Sequence, residues 1–138
     1  MAPGVNIPPT PPAWHTLPNA PPNGAVLGRL DEMDDGQACL RQWPQADAAP
    51  AQPFRYLLTR SGATVHAFVN RCAHFGVPLA QRSEQLLFVP HQRLTCNVHY
   101  AHYDWATGRC LGGECAGEGL ITIPVRVDAD GTIRIHSP

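Results

Sequence analysis

The chain of 138 residues has no run of eighteen apolar residues, so no membrane-spanning helix is expected. It has no excess of either charge: charged residues make up 15%, and the net charge is −1 with histidine neutral. Without a basic patch there is no electrostatic footprint for nucleic acid, and without an acidic run there is no solvating tail. The opening stretch, MAPGVNIPPTPPAWHTLPNAPPNG, has neither the basic start nor the apolar core of a secretion signal, which makes a cytoplasmic protein the default expectation. No segment holds a 3.6-residue apolar period for long, and there is no internal repeat of domain size. These absences leave a single β-rich domain, large enough to bury one core without staples.

What is abundant is proline. Eight of the fifteen fall in the first 25 residues. Proline lacks an amide donor and locks φ, so residues 1–26 are read as an extended tail with polyproline character, preceding a domain over 27–138. The tail is a partner-docking arm or, more plainly, a surface-wrapped or disordered leader. From Gly28 onward, short strands alternate with turns. Residues 37–43 and 54–59 read as strands, with a loop of variable type between them. Ser61-Gly62 suits a tight turn into a strand over 64–69. Residues 121–127 pair plausibly with 132–135 around Asp128-Ala129-Asp130-Gly131, and Pro124 points to an edge position. The fold class is therefore all-β and mainly antiparallel.

The chemistry lies in two mixed pairs. Cys72-Ala73-His74 is a C-x-H, and Cys96-Asn97-Val98-His99 is a C-x-x-H that follows after a gap of 21 residues. Two loops could each present one thiolate and one imidazole to a common point. Zinc accepts such a set, but its structural sites usually pair cysteines on one knuckle and histidines on another. A two-iron, two-sulfide centre suits the mixture better, one iron taking Cys72 and Cys96 and the other His74 and His99. A zinc-stabilised binding module stays open on these residues alone.

The pattern resembles the Rieske [2Fe–2S] family over roughly residues 27 to 136. "VHAFVNRCAHFGVPLA" is similar to the family's first loop, where a strand runs into C-x-H and a Pro-Leu follows. "RLTCNVHYAHYDWATGRCLGG" is similar to its second, with an aromatic-Asp pair and a Thr-Gly. "IPVRVDADGTIRI" looks like its closing hairpin. The resemblance implies an antiparallel β-sandwich with a small cluster-binding subdomain formed by two loops, and one [2Fe–2S] cluster per chain held by Cys72, His74, Cys96 and His99. It implies that the imidazoles bind through Nδ1 and leave Nε2 at the surface.

Two ferric ions, two sulfides and two thiolates are formally neutral, where four thiolates leave a dianion. The mixed set accepts an electron more readily, at roughly −150 to +300 mV against about −400 mV for plant-type ferredoxins. High-potential members resemble C-T-H-x-G-C and C-P-C-H-G-S. Here Val77 and Val98 occupy the positions of that pattern's inter-loop disulfide, and Ala101 stands where its serine would be. Tyr103 matches a tyrosine whose hydroxyl can bond a ligating sulfur. A low to intermediate potential is expected. Cys115 takes a place where proline is usual in the loop that flanks the cluster.

Other thiols and imidazoles have plainer readings. Cys110 and Cys115 form a disulfide or a pair of free thiols, and a reducing compartment favours thiols. An all-cysteine centre is excluded because the plant-type C-x4-C-x2-C run is missing. Cys39 reads as a small buried hydrophobe. His102 could line an electron exit, though a solvent-facing side chain is the simpler reading. His15, His66, His91 and His136 have no partner at ligand spacing, and Trp105 reads as packing. The expected function is a soluble one-electron carrier, not an enzyme with its own substrate site, that takes electrons from a reductase to a terminal oxygenase or another oxidoreductase. The alternative is a tightly bound small iron-sulfur subunit of a larger oxidoreductase. No room exists for a catalytic mononuclear iron domain.

Overall fold

The structure, a computed structural model, describes residues 13–44, 53–71, 78–96, 101–112 and 119–136, and among them are eleven strands and no α-helix. In chain order these are β1 (Val26–Arg29), β2 (Ala38–Trp43), β3 (Phe54–Ser61), β4 (Thr64–Val69), β5 (Leu87–Val89) and β6 (Arg93–Thr95). After them come β7 (His102–Asp104), β8 (Cys110–Gly112), β9 (Thr122–Ile123), β10 (Val125–Val127) and β11 (Thr132–Ile135). They form three antiparallel sheets, ordered β1-β11-β10, β2-β3-β4-β9 and β5-β6-β7-β8.

The expected hairpin is present, with Ser61 opposite Thr64 across the Gly62 turn. Gly62 has φ of +61°, a conformation that costs glycine nothing and any branched residue a good deal. The expected strand over 121–127 is broken in two. Ile123 pairs with Ala67 in one sheet and Val125 with Ile135 in another, so Pro124, which has no amide to donate, marks the step between sheets. β10 then lies at a sheet edge.

The β2-β3-β4-β9 sheet is the middle layer, which explains why β3 is buried on both faces. Leu57 faces one core with Leu94, Tyr103 and Trp105, while Tyr56 and Leu58 face another with Leu27 and Ile133. A strand covered on both sides needs apolar residues at consecutive positions, and Tyr56-Leu57-Leu58 supplies them. Tyr56 keeps its hydroxyl satisfied by donating to the Leu27 carbonyl at 2.6 Å. Trp14, in a short 3-10 turn, is buried in the same core as Leu27, so this part of the proline-rich stretch packs onto the domain.

Candidate metal centre

The feet of two loops are rooted in one core. The first begins where β4 ends. Asn70 is 7% exposed, and its side chain bridges the loop's two ends: the Leu79 amide donates to Asn70 Oδ1 at 2.9 Å, and Asn70 Nδ2 donates to the Ala80 carbonyl at 3.2 Å. Its own backbone amide is fixed to the Arg55 carbonyl at 3.0 Å. Leu79 and Ala80 are buried, so the apolar pair after Pro78 anchors the returning end. The segment between Asn70 and Leu79 must therefore leave and return at one point.

The second loop joins β6 to β7. Cys96 is fully buried, and its amide donates to the Ala101 carbonyl at 2.8 Å, closing the hairpin just below residues 97–100. Thr95 and His102, opposite each other in the register, share a hydrogen bond of 2.9 Å between Oγ1 and Nδ1. The Asp-Trp-Ala-Thr-Gly run that follows is a turn. Asp104 Oδ2 accepts from the amides of Ala106 and Thr107 and from the Thr107 hydroxyl, at 2.8 to 3.0 Å. Burial alone would push this carboxyl up, but the Thr107 amide and hydroxyl and the Ala106 amide outweigh it and hold Asp104 below its ordinary range. Gly108 ends the turn at φ +73°, where a Cβ would meet the Phe68 ring at 2.8 Å.

The feet of both loops share one core: Leu79, Ala80, Cys96, Ala101 and Tyr103 belong to a single buried cluster. Of the four expected ligands only Cys96 is among the described residues, where it is buried at the foot of the second loop and is not in a disulfide. Cys72, His74 and His99 lie outside them, as does Val77, Val98 and Cys115. Among the described residues alone, no three His, Cys, Asp or Glu side chains gather as a metal site. A buried cysteine beside two pinned loop ends fits a group that takes a sulfur donor from this core.

Tyr103 is fully buried in the cluster that holds Cys96 and pairs in register with Cys110. Cys110 is disulfide-bonded, one of the two states the sequence allows, and Cys115 lies outside the described residues. Cys39 is a free thiol, buried as expected, and burial pushes its pKa up. Trp105 is core, donating Nε1 to Ser61 Oγ at 2.9 Å. His91 is tied to the same serine, with Nδ1 and Oγ 2.9 Å apart. His102 is half-buried and bonded to Thr95, so neither a plain solvent-facing side chain nor a bare exit describes it.

The residues missed in the sequence are those that close the loops. Asn70 had a signal, a lone polar residue between the apolar run Ala67-Phe68-Val69 and the C-x-H. The Ala101 carbonyl had none, because any residue supplies that acceptor.

The Rieske [2Fe–2S] domain model matches residues 26–127. No functionally curated protein matches the chain. Among solved structures, the ferredoxin of carbazole 1,9a-dioxygenase from Nocardioides aromaticivorans IC177 is similar at 17% identity and TM-score 0.62, over 84% of this chain and 100% of that one. The Sphingomonas yanoikuyae B1 ferredoxin is similar at 21% identity and TM-score 0.59, again over 84% and 100%. The terminal oxygenase of carbazole 1,9a-dioxygenase from Novosphingobium sp. KA1 is similar at 19% identity and TM-score 0.64, over 84% of this chain but 30% of its own. The match of the domain model over most of the chain, on a fold of three antiparallel sheets with two pinned loops, shows that the chain belongs to the Rieske [2Fe–2S] domain family, whose domain holds one such cluster.

Proposed function

We propose that the protein is a soluble, cytoplasmic one-electron carrier with no substrate site of its own. In this reading it passes electrons from a reductase to a terminal oxygenase or another oxidoreductase. The observation that carries the reading is the shared footing of the two loops: Leu79 and Ala80 from one, Cys96 and Ala101 from the other, in one buried cluster. Loops so anchored can hold donors in fixed positions at the end of a rigid scaffold. The ferredoxins that match over their full length support a carrier role.

The proposed ligands are Cys72 and Cys96 for one iron and His74 and His99 for the other. Cys96 supplies a thiolate from the buried foot of the second loop. When bound, the [2Fe–2S] group supplies reversible one-electron redox chemistry. The chain's part is to keep the sulfur side dry, with Cys96, Ala101 and Tyr103 all fully buried, and to keep the loops from parting.

The test is spectroscopic. Protein loaded anaerobically with iron and sulfide and then reduced is expected to show an EPR signal with nitrogen couplings from two imidazoles. Replacing His74 or His99 with Cys is expected to remove one coupling. A colourless protein that retains zinc, or a reduced spectrum without nitrogen couplings, would overturn the assignment. Size-exclusion chromatography of native extract separates the carrier from a permanent subunit: elution near the 15.0 kDa mass of the chain supports the carrier.

A further inference from the structure

A polar cleft of about 210 Å³ opens beside the first loop, between the edge strand β2, the start of β3 and residues 81–83. Three arginines line it, Arg41, Arg55 and Arg82, together with Gln42, Gln81 and Asn70, and no carboxylate is among the lining residues. All ten basic residues of the chain are arginine, and the net charge is −1. Arg41 alternates with Gln42 along β2 and shares the opposite face with Cys39 and Tyr56, so two guanidinium groups, those of Arg55 and Arg82, bring charge to this cleft, and no carboxylate in its lining offsets them.

The polar groups of the wall divide into those already engaged and those available. Asn70 is committed to Leu79 and Ala80. Ser83, also in the wall, accepts from the Leu40 amide at 3.0 Å and donates to the Leu40 carbonyl at 3.3 Å, covering the exposed edge of β2 as another strand would. Arg41 is drawn to the sulfur of Cys39. Arg82 meets Glu84 at 3.8 Å with both side chains about 70% exposed, a pairing that solvent weakens greatly. Arg55 is exposed and has no ion pair among the described residues. Gln42 lies directly opposite Arg55 in the β2–β3 register, so their side chains share a face.

Guanidinium groups present planar pairs of N–H donors that match the oxygens of a carboxylate or phosphate. The cleft is smaller than the roughly 300–1,000 Å³ of drug-sized sites, which suits one anionic headgroup and a few waters. We propose that this cleft binds a single oxyanion group, a carboxylate or a phosphate, held by Arg55 and Arg82 with the amide donors of Gln42 and Gln81. Because Asn70 and Gln81 border the two ends of the first loop, the occupant sits beside those ends. The anion is either free in solution or a side chain of an acidic partner.

Calorimetric titration of the full, cluster-bearing chain at constant ionic strength tests this, with inorganic phosphate in one arm and an acetylated hexaglutamate peptide in the other. Saturable phosphate binding at one site supports a free-anion source. Saturable binding of the peptide alone supports a partner's carboxylate. Arg55→Gln and Arg82→Gln are each expected to weaken binding about tenfold. Arg126→Gln, whose guanidinium pairs with Asp128 on another sheet, is expected to bind as the parent does. Both substituted arginines are exposed, and an unchanged visible spectrum checks that the variants fold. Absence of saturable binding in both arms, or parental affinity in both variants, overturns the proposal. Electron carriage is not measured here, so that result would leave the proposed function standing.

Discussion

Asn70 grips the amide of Leu79, nine residues further on, at 2.9 Å, and hands its own amide proton to the neighbouring Ala80 carbonyl at 3.2 Å. One buried side chain thus ties both ends of the first loop, a task that otherwise needs two strands in register. Asn70→Ala would leave the Leu79 amide buried without an acceptor. The expected cost is about 2 kcal/mol, because an unmade buried hydrogen bond loses its desolvation energy as well as its bond. Urea denaturation measures that cost, and decay of visible absorbance in a chelator should quicken beyond what the lost stability alone explains. Asn70→Asp restores the acceptor but not the donor and adds a buried charge, so it is expected to rescue little.

The second loop is closed by backbone alone, Cys96 amide to Ala101 carbonyl. Ala101 is fully buried and has no hydroxyl to offer a sulfide, where the high-potential pattern has serine. A midpoint in the lower half of the family's span of roughly −150 to +300 mV is expected by potentiometric titration. Ala101→Ser should raise it, since a hydroxyl donor near the sulfur side favours the more negative, reduced state. A midpoint near the positive limit in the parent would refute the reading.

Strands were legible wherever one residue's neighbours decided its fate. Tyr56-Leu57-Leu58 announces a strand buried on both faces, and Ser61-Gly62 announces its turn. Pro124 was legible as an interruption, yet not as a change of sheet, because the partner strands β4 and β11 are set by the whole fold. The short strands β5 to β8 were hidden for a similar reason. Each is three residues long, too short for a period to show, and is held by its neighbours more than by its own preference. The ligand pairs were legible as spacing, but the residues that hold the loops together were not. Asn70 acts through a contact across nine positions, which local pattern does not reveal.

Cys110 faces Tyr103 across the β7–β8 register and is disulfide-bonded. Neither Cys39 nor Cys96 is in a disulfide, and Cys72 and Cys115 lie outside the described residues. With Cys72 proposed as a cluster ligand, Cys115 is the expected partner. Alkylation of the folded, unreduced protein followed by peptide mass analysis is expected to leave Cys110 unlabelled and linked to the peptide containing Cys115. Labelling at both positions would mean the thiol form is the native one, as a reducing compartment favours.

His66 and Asp104 give the protein an acid-sensitive margin. Burial lowers the pKa of His66 below its ordinary 6.5, and the nearby Asp104 charge only partly offsets this. The unfolded chain then binds the proton more readily than the native one, so stability is fully present above pH 6.5 and is lost as pH falls through the lower native value. Asp104 adds a second loss in the same direction below its ordinary 3.8. Urea midpoints measured from pH 8 downward should fall less steeply near neutrality in His66→Gln than in the parent. Equal slopes would show that His66 is as exposed in effect as a free histidine.

Tyr103 offers the cleanest test of how the core tunes the centre. Its ring is fully enclosed with Cys96, Leu94 and Trp105, so Tyr103→Phe removes a hydroxyl while the packing around it is kept. A hydroxyl that donates to a ligating sulfur stabilises the reduced, more negative state more than the oxidised one, because the bond strengthens with the acceptor's charge. Removing it is expected to lower the midpoint modestly, with little change in the visible spectrum. Thermal denaturation separates this from a structural effect: a loss of stability with an unchanged midpoint would mean that the hydroxyl serves the fold and bonds elsewhere. The double variant Tyr103→Phe with Ala101→Ser then asks whether one donor replaces the other. Recovery of the parental midpoint would show that the two positions act on the same sulfur-side charge, whereas independent shifts that simply add would place their hydroxyls on different atoms.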